Sequence, residues 1–299
     1  MHQPKPKTQR SRSMRAERLF DYDIVEVIGE GAGSMVYAAC RRKCSTMVAL
    51  KHVVCRDAKR RRFVNQLKDE YEVGRVVRHD GLRQSLALHI RRDWFFRPVE
   101  AVLVLELFDG MSLDRQRPTS VADTVACMLR VAHALRAMHA QGFVHCDLKP
   151  NNILLDTEGR VKLIDLGQAC RVGTRKKRIQ GTPDYMAPEQ VRREPVTDRT
   201  DVFNFGATMY WVLSQQTVPT LYTAGRGTNK FVLEDRIPTP HELNPHVPPP
   251  LSELTMSCLS LRPPKRPGID EVIRRLEVIE FSVRRNAAAS ARTQKVQAT

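Results

Sequence analysis

The sequence has no apolar run long enough to cross a bilayer. Its longest strongly apolar stretch is AVLVLELF at 101–108, far short of the roughly 20 residues a spanning helix needs. The N-terminus lacks the apolar core of a signal peptide. The seven cysteines are scattered at 40, 44, 55, 127, 146, 170 and 258. Their odd number and irregular spacing exclude a disulfide-stapled scaffold and point to a reduced, cytoplasmic setting. Cys40 and Cys44 have no second pair to complete a metal site. Aromatic residues are only 6% of the chain and do not interleave with its basic runs. With no nucleic-acid module either, nucleic acid is disfavoured as a partner.

Acidic residues are scarce relative to basic ones: 33 Asp and Glu face 49 Lys and Arg, a net charge of +16. The excess is clumped in residues 1–18, in RDAKRRR at 56–62 and in RVGTRKKR at 171–178. Such clumps form a solvated basic surface or attract an acidic partner, such as an acidic protein substrate. No feature of the sequence specifies an oligomeric state.

The 299 residues suffice for a large two-lobed domain. Residues 1–18 read as a basic disordered tail. From Leu19 the texture is strand-like: FDYDIVEVIG, a glycine-rich turn GEGAGS, then MVYAAC and TMVALKHVV. Helical spacing follows over 62–78, and SLALHIRR and AVLVLELF read as a strand pair. A boundary near FDGMS at 108–112 opens a helical part. There Ser120 caps a helix in which Val125, Met128, Leu129, Ala132, Leu135 and Met138 recur at three and four, and Gly142 stops it. A second apolar helix is predicted over 201–213, loops over the proline-rich 237–250 and 263–267, and a last amphipathic helix over 269–281. The expected fold class is α+β: a small N-terminal lobe (19–107) of antiparallel sheet plus one helix, and a larger helical lobe (108–283). Residues 284–299 read as a polar tail.

Three places carry chemistry. In GEGAGSMV, Gly29 and Gly31 let the backbone approach phosphate oxygens. Hairpin glycines also serve simply as turn residues, and the strand that follows argues against a dinucleotide site. Lys51 ends the strand VALK, either as a surface cation or as a phosphate ligand held by a carboxylate, with Glu70 and Glu72 as candidates. In VHCDLKPNNILL, Asp147 can accept a proton, Lys149 can neutralise a transferred phosphate, and Asn152 can bind a metal ion together with Asp165 of LIDLG. Two oxygen ligands plus phosphates suit magnesium. Phosphoryl transfer needs this combination.

These motifs, with GTPDYMAPE and DVFNFG in order, resemble the eukaryotic-type protein kinase family over about residues 22–280. The texture of GEGAGS, HCDLKPNN and DVFNFG is closest to bacterial, planctomycete-like members. The resemblance implies a Ser/Thr kinase using ATP with Mg²⁺ or Mn²⁺ on a protein substrate. It implies that Asp147 is the catalytic base, that Lys149 stabilises the γ-phosphoryl group, and that Lys51 bridges phosphates and pairs with Glu70. Asn152 and Asp165 would hold the metal, and Thr182 would bond Asp147 and Lys149. The nucleotide would lie among Ile28, Gly29, Glu30, Gly31, Ala32, Gly33, Ser34, Val36, Ala49, Lys51, Leu105, Leu154 and the backbone of Glu106 and Leu107. Glu189 would pair with Arg266, and Asp201 would bond the catalytic-loop backbone.

Four positions depart from the family pattern. Ser34 replaces a glycine and Leu166 a phenylalanine. Gly74 falls where a large apolar residue would stack over Leu166, so either a gap loosens the helix of Glu70 or another residue fills it. Cys146 replaces an arginine that grips phosphorylated activation loops, and Thr174 is the only hydroxyl between Asp165 and Thr182. Activity independent of activation-loop phosphorylation is therefore expected. Cys146 and Cys170 flank the site as packing residues or as redox-sensitive thiols.

Overall fold

The computed structural model describes residues 18–297 apart from 32, 56, 58, 59 and 219–236, with side chains through 286. The basic tail before Arg18 and the turn residue Ala32 lie outside the described residues.

Six strands make the N-terminal sheet: β1 (Arg18–Leu19), β2 (Tyr22–Gly31), β3 (Ser34–Arg41), β4 (Thr46–Val54), β5 (Ser85–Arg92) and β6 (Pro98–Glu106). Their spatial order is β1-β2-β3-β4-β6-β5, and every pairing is antiparallel. Arg18, read as the end of the tail, pairs with Asp23 in this sheet. Alternation along β4 and β6 sends side chains to two faces. Leu50, Val102 and Val104 pack with Leu19 and Tyr22 on one face. Ala49, Val53, Leu103 and Leu105 pack with Val64 and Leu67 of helix α1 (Arg61–Val76) on the other.

The second lobe is built on α2 (Val121–Ala140), the short α3 (Pro188–Val191), α4 (Asp198–Ser214), α6 (Pro249–Cys258) and α7 (Ile269–Gln297). Ser120 Oγ accepts from the Asp123 N–H at 3.0 Å and starts α2, and Gly142 takes φ +74° just past its end. Helix α4 is buried along nearly its whole length, so it runs through the core. Between the helices lie short strands β7 (Met111–Ser112), β8 (Phe143–Val144), β9 (Ile153–Leu155), β10 (Val161–Leu163) and β11 (Cys170–Arg171). They form two small sheets, β10-β9-β7 and β11-β8. The lobes are stitched together where the Leu163 N–H donates to Gly81 O at 2.7 Å and the Arg83 N–H donates to Leu163 O at 3.1 Å.

Two expectations change. The proline-rich stretch read as loop contains α5 (Pro240–Leu243) and the start of α6. Proline at a first helical position lacks only an N–H that has no partner there, so it can begin a helix as well as break one. The last helix runs past 281 through the segment read as a tail. Its alanines, arginines and glutamines are good helix formers, and a helix already nucleated by packing extends cheaply.

Candidate active site

Lys51 lies on β4 beside Leu103 of β6, which anchors its backbone in the middle of the sheet. Its ammonium donates to Glu70 Oε2 at 2.7 Å and to Asp165 Oδ1 at 2.7 Å. Of the two candidate carboxylates, Glu70 is buried on α1, whereas Glu72 is exposed and pairs with Arg75 at 3.4 Å. Burial alone would pull the Lys51 ammonium down, but the charges of Asp165 and Glu70 outweigh it and hold it above its ordinary value. Lys51 in turn holds the Asp165 carboxyl well below the usual carboxylate range. Asp165 adopts a left-handed φ of +62°, which turns the chain sharply into the buried Leu166.

No gap exists at Gly74. A Cβ there would lie 2.9 Å from Ser85 Cβ, because β5 carries Ser85 into the space. The Ser85 hydroxyl donates to Glu70 O at 3.2 Å, so the residue that fills the gap also ties down the turn of α1 bearing Glu70.

A second cluster forms around the catalytic-type loop after β8. Asp147 Oδ1 accepts from the Thr182 N–H at 3.1 Å, and its Oδ2 lies 3.3 Å from Lys149 Nζ. Lys149 Nζ donates to Thr182 Oγ1 at 2.7 Å. Asn152 Nδ2 donates to Asp147 O at 2.7 Å. That bond fixes the amide so that its oxygen is the atom left for a cation. Asp201, buried on α4, accepts the His145 and Cys146 N–H groups at 2.8 Å each and a contact from His139 Nε2 at 2.8 Å. Burial pushes its carboxyl up, but His139 and the backbone donors outweigh this and keep it lowered. These bonds hold Cys146 at φ +64°, a strained geometry for a non-glycine residue.

Asn152 and Asp165 together present hard oxygen ligands. Among the described residues no cluster of three metal-ligating side chains occurs. The Asn152 amide and the Asp165 carboxylate could hold a hard cation such as magnesium, which takes oxygen ligands.

The family profile described as "Protein kinase domain" matches residues 22–276. The chain belongs to the protein kinase family. This kinase domain is similar to Serine/threonine-protein kinase PknD of Chlamydia pneumoniae, at 29% identity over 277 residues, covering 82% of this chain and 29% of that protein. It is similar to Serine/threonine-protein kinase TIO of Arabidopsis thaliana, at 29% over 233 residues, 75% of this chain and 17% of that protein. It is also similar to Inactive serine/threonine-protein kinase PLK5 of Mus musculus, at 31% over 291 residues, 91% of this chain and 46% of that protein. The chain thus spans less than half the length of each of these relatives.

In the N-terminal lobe of the kinase domain, β2 and β3 form a hairpin whose turn contains Gly33. A Cβ on Gly33 would meet the Phe63 ring of α1 at 2.5 Å, so the turn closes onto the helix and a side chain there would have to push the ring aside. Gly29 pairs with Val36, Glu30 with Met35 and Gly31 with Ser34 across the hairpin. Ile28 is partly exposed, whereas Ala49 and Leu105 are buried neighbours across β4 and β6, with Val36 and Leu107 packed against them. Leu154 lies on β9 opposite Ser112. The Glu106 N–H donates to Gln84 O at 3.0 Å, so that donor is already engaged. The Glu106 carboxylate bonds Lys162 at 2.8 Å.

Three residues absent from the sequence reading help build the site. Arg83 is buried with its guanidinium 3.9 Å from Glu70 Oε1, a second cation behind the Lys51 pair. Gln190 donates to Cys146 O at 2.8 Å and accepts from the Ala187 N–H at 2.9 Å. Asn204 of α4 donates to Gln190 Oε1 at 2.9 Å and to Tyr185 O at 2.6 Å. These neutral bonds join the segment after Asp165 to the loop of Asp147. No local pattern marks them, since their partners lie far away in sequence. Cys146 and Cys170 approach to 3.8 Å between Sγ atoms. The Cys146 thiol is pushed well up by its bond to Cys170 and by burial, and the same bond brings Cys170 down to about 7.

Proposed function

We propose that this protein is an active Ser/Thr protein kinase that transfers the γ-phosphoryl group of ATP to a hydroxyl of a protein substrate. The observation that carries the proposal is the Lys51 ammonium held at 2.7 Å from both Glu70 and Asp165. A fixed cation strapped to α1 beside the Asp165 carboxylate supports this reading, because nucleotide phosphates need positive charge next to their metal ion. Lys51 would bind the non-transferred phosphates. Asn152 and Asp165 would hold Mg²⁺ or Mn²⁺, which supplies charge neutralisation for the phosphates. Asp147 would accept the proton of the acceptor hydroxyl, and Lys149 would stabilise charge on the transferred group. Val36, Ala49, Leu105, Leu107 and Leu154, with Ile28 above, would enclose the adenine. The bond between Lys149 and Thr182 supports a Ser or Thr acceptor. A cytoplasmic location belongs to the same proposal and is supported by the unpaired cysteines.

The deciding test is transfer of labelled phosphate from ATP, with Mg²⁺ and with Mn²⁺, beside Asp147→Asn. Phosphoserine or phosphothreonine that falls at least about a hundredfold in the variant supports the base. ATP binding without transfer would instead favour an ATP-binding scaffold, the reading that the similarity to an inactive kinase keeps in view.

We also infer that activity does not depend on phosphorylation of the activation segment. The Cys146 side chain offers no cation, and the segment is already joined to the Asp147 loop through Gln190, Asn204 and Thr182. The Thr174 hydroxyl donates to Arg171 O at 2.6 Å. Thr174→Ala is expected to keep kcat within about threefold of wild type. Loss of activity in a folded Thr174→Ala protein would refute the inference.

A further inference from the structure

A cleft of about 530 Å³ opens between α1 and the segment that follows Asp165. Arg62 enters its lining from α1, and Arg175, Lys176, Lys177 and Arg178 from the segment, against Asp69 as the lone carboxylate. Among the described residues none of these five cations lies within ion-pair distance of a carboxylate. Their hydrogen-bond partners are neutral: Lys176 donates to Gln168 O, and Arg178 faces the Gln180 amide oxygen, while the Asp69 carboxylate feels the charge of Lys176 without forming an ion pair with it. Arg62 stacks its guanidinium 4.6 Å over the Phe63 ring. The backbone of the segment is pinned here, with the Val196 N–H donating to Thr174 O at 3.0 Å and Arg175 bridged to Pro195.

Converging unpaired cations on a held backbone repel one another, and a compact multivalent anion relieves that repulsion. A phosphate monoester fits best, because arginine forks and lysine ammonium groups bond its oxygens by charge-assisted hydrogen bonds. The lining contains no aromatic residue, so a nucleobase would find no stacking face. The cleft also adjoins the acceptor position: Gln180 lines it, and Thr182, two residues on, bonds Asp147.

We propose that this cleft binds a phosphate monoester on the protein substrate, so that the kinase prefers a chain already phosphorylated a few residues from the acceptor hydroxyl. The proposal rests on the kinase reading above, but its first test needs no phosphotransfer. Labelled peptides carrying an acceptor serine, with either phosphoserine or serine nearby, are titrated with the full chain and followed by fluorescence anisotropy. Inorganic phosphate serves as competitor. The phosphopeptide should bind at least about tenfold more tightly than its unphosphorylated twin. The double variant Lys177→Gln, Arg178→Gln, at exposed positions outside the catalytic machinery, should erase most of that difference while ATP binding and thermal unfolding stay unchanged. In transfer assays the phosphopeptide should lower KM and leave kcat alone. Equal affinity for the two peptides would overturn the proposal. So would inorganic phosphate binding as tightly as the phosphopeptide, since the site would then hold a free ion. Tight phosphopeptide binding by a chain that transfers no phosphate would defeat the kinase reading and leave the cleft as a phosphopeptide-binding site.

Discussion

Gly74 and Ser85 are matched to each other across the interface of α1 and β5. A glycine inside a helix costs roughly 1 kcal/mol relative to alanine, so its presence on α1 needs a reason. The reason is steric: Ser85 Cβ would sit 2.9 Å from an added Cβ. Overlap of that kind costs about 1–3 kcal/mol, which outweighs the helix gain. Gly74→Ala is therefore expected to lower stability by about 1 kcal/mol in the wild-type background. In a Ser85→Gly background the same substitution should raise stability, because the side-chain overlap is gone, only the backbone N of residue 85 stays close at 3.3 Å, and the helix gain remains. Urea unfolding of the four proteins in the cycle checks this. The same sign in both backgrounds would mean that Ser85 is not what excludes the side chain.

At the scale of elements, the smallest sheet does specific chemical work. Strands β8 and β11 pair with Cys170 opposite Val144, which carries Cys170 beside Cys146 two residues further on. The bond from Cys146 favours the Cys170 thiolate, whose titration is brought down to about 7. Thiolate is the form that reacts, so alkylation of Cys170 by iodoacetamide should rise as pH increases through about 7. Cys146→Ala removes the donor, and the rise should move up towards the ordinary thiol value of about 8.5. Peptide mass spectrometry after timed labelling reads both profiles. Identical profiles in the two proteins would show that the neighbouring thiol does not set the reactivity.

Across the whole molecule, a buried ion pair fastens the end of the activation segment to the C-terminal lobe. Arg266 donates to Glu189 at 2.6 and 2.9 Å, and both residues are almost wholly buried. Thr200 adds a bond to Glu189 at 2.8 Å, and Arg266 also donates to Ser260 O at 2.8 Å and to Arg199 O at 2.7 Å. Removing one partner of such a pair strands a buried charge, which typically costs about 3–5 kcal/mol. Arg266→Ala should lose about that much stability in urea unfolding. The double variant Glu189→Gln, Arg266→Met, with no charge left uncompensated, should lose distinctly less. A double variant as unstable as Arg266→Ala would place the energy in packing rather than charge.

The sequence by itself determined what depends on near neighbours. The period of Val125, Met128, Ala132 and Leu135 made α2 legible, the Val- and Ala-rich TMVALKHVV and the apolar run AVLVLELF made the strands legible, and Ser120 and Gly142 marked helix ends. The order of GEGAGSMV, VALK, HCDLKPNN and DLG was enough to name the family, and it supplies the site positions proposed above. What only the tertiary structure decided involves partners brought together by the path of the chain. Lys51 and Asp165 meet across 114 positions. Ser85 closes the space over Gly74, Arg83 lies buried behind Glu70, and Gln190 with Asn204 joins two loops. The prolines at 240 and 249 start helices because the local sequence permitted either outcome and packing selected one. Local propensity acts through sterics and hydrogen bonds a few residues apart. The contents of a buried space are set by excluded volume and charge pairing among segments whose proximity the fold alone creates.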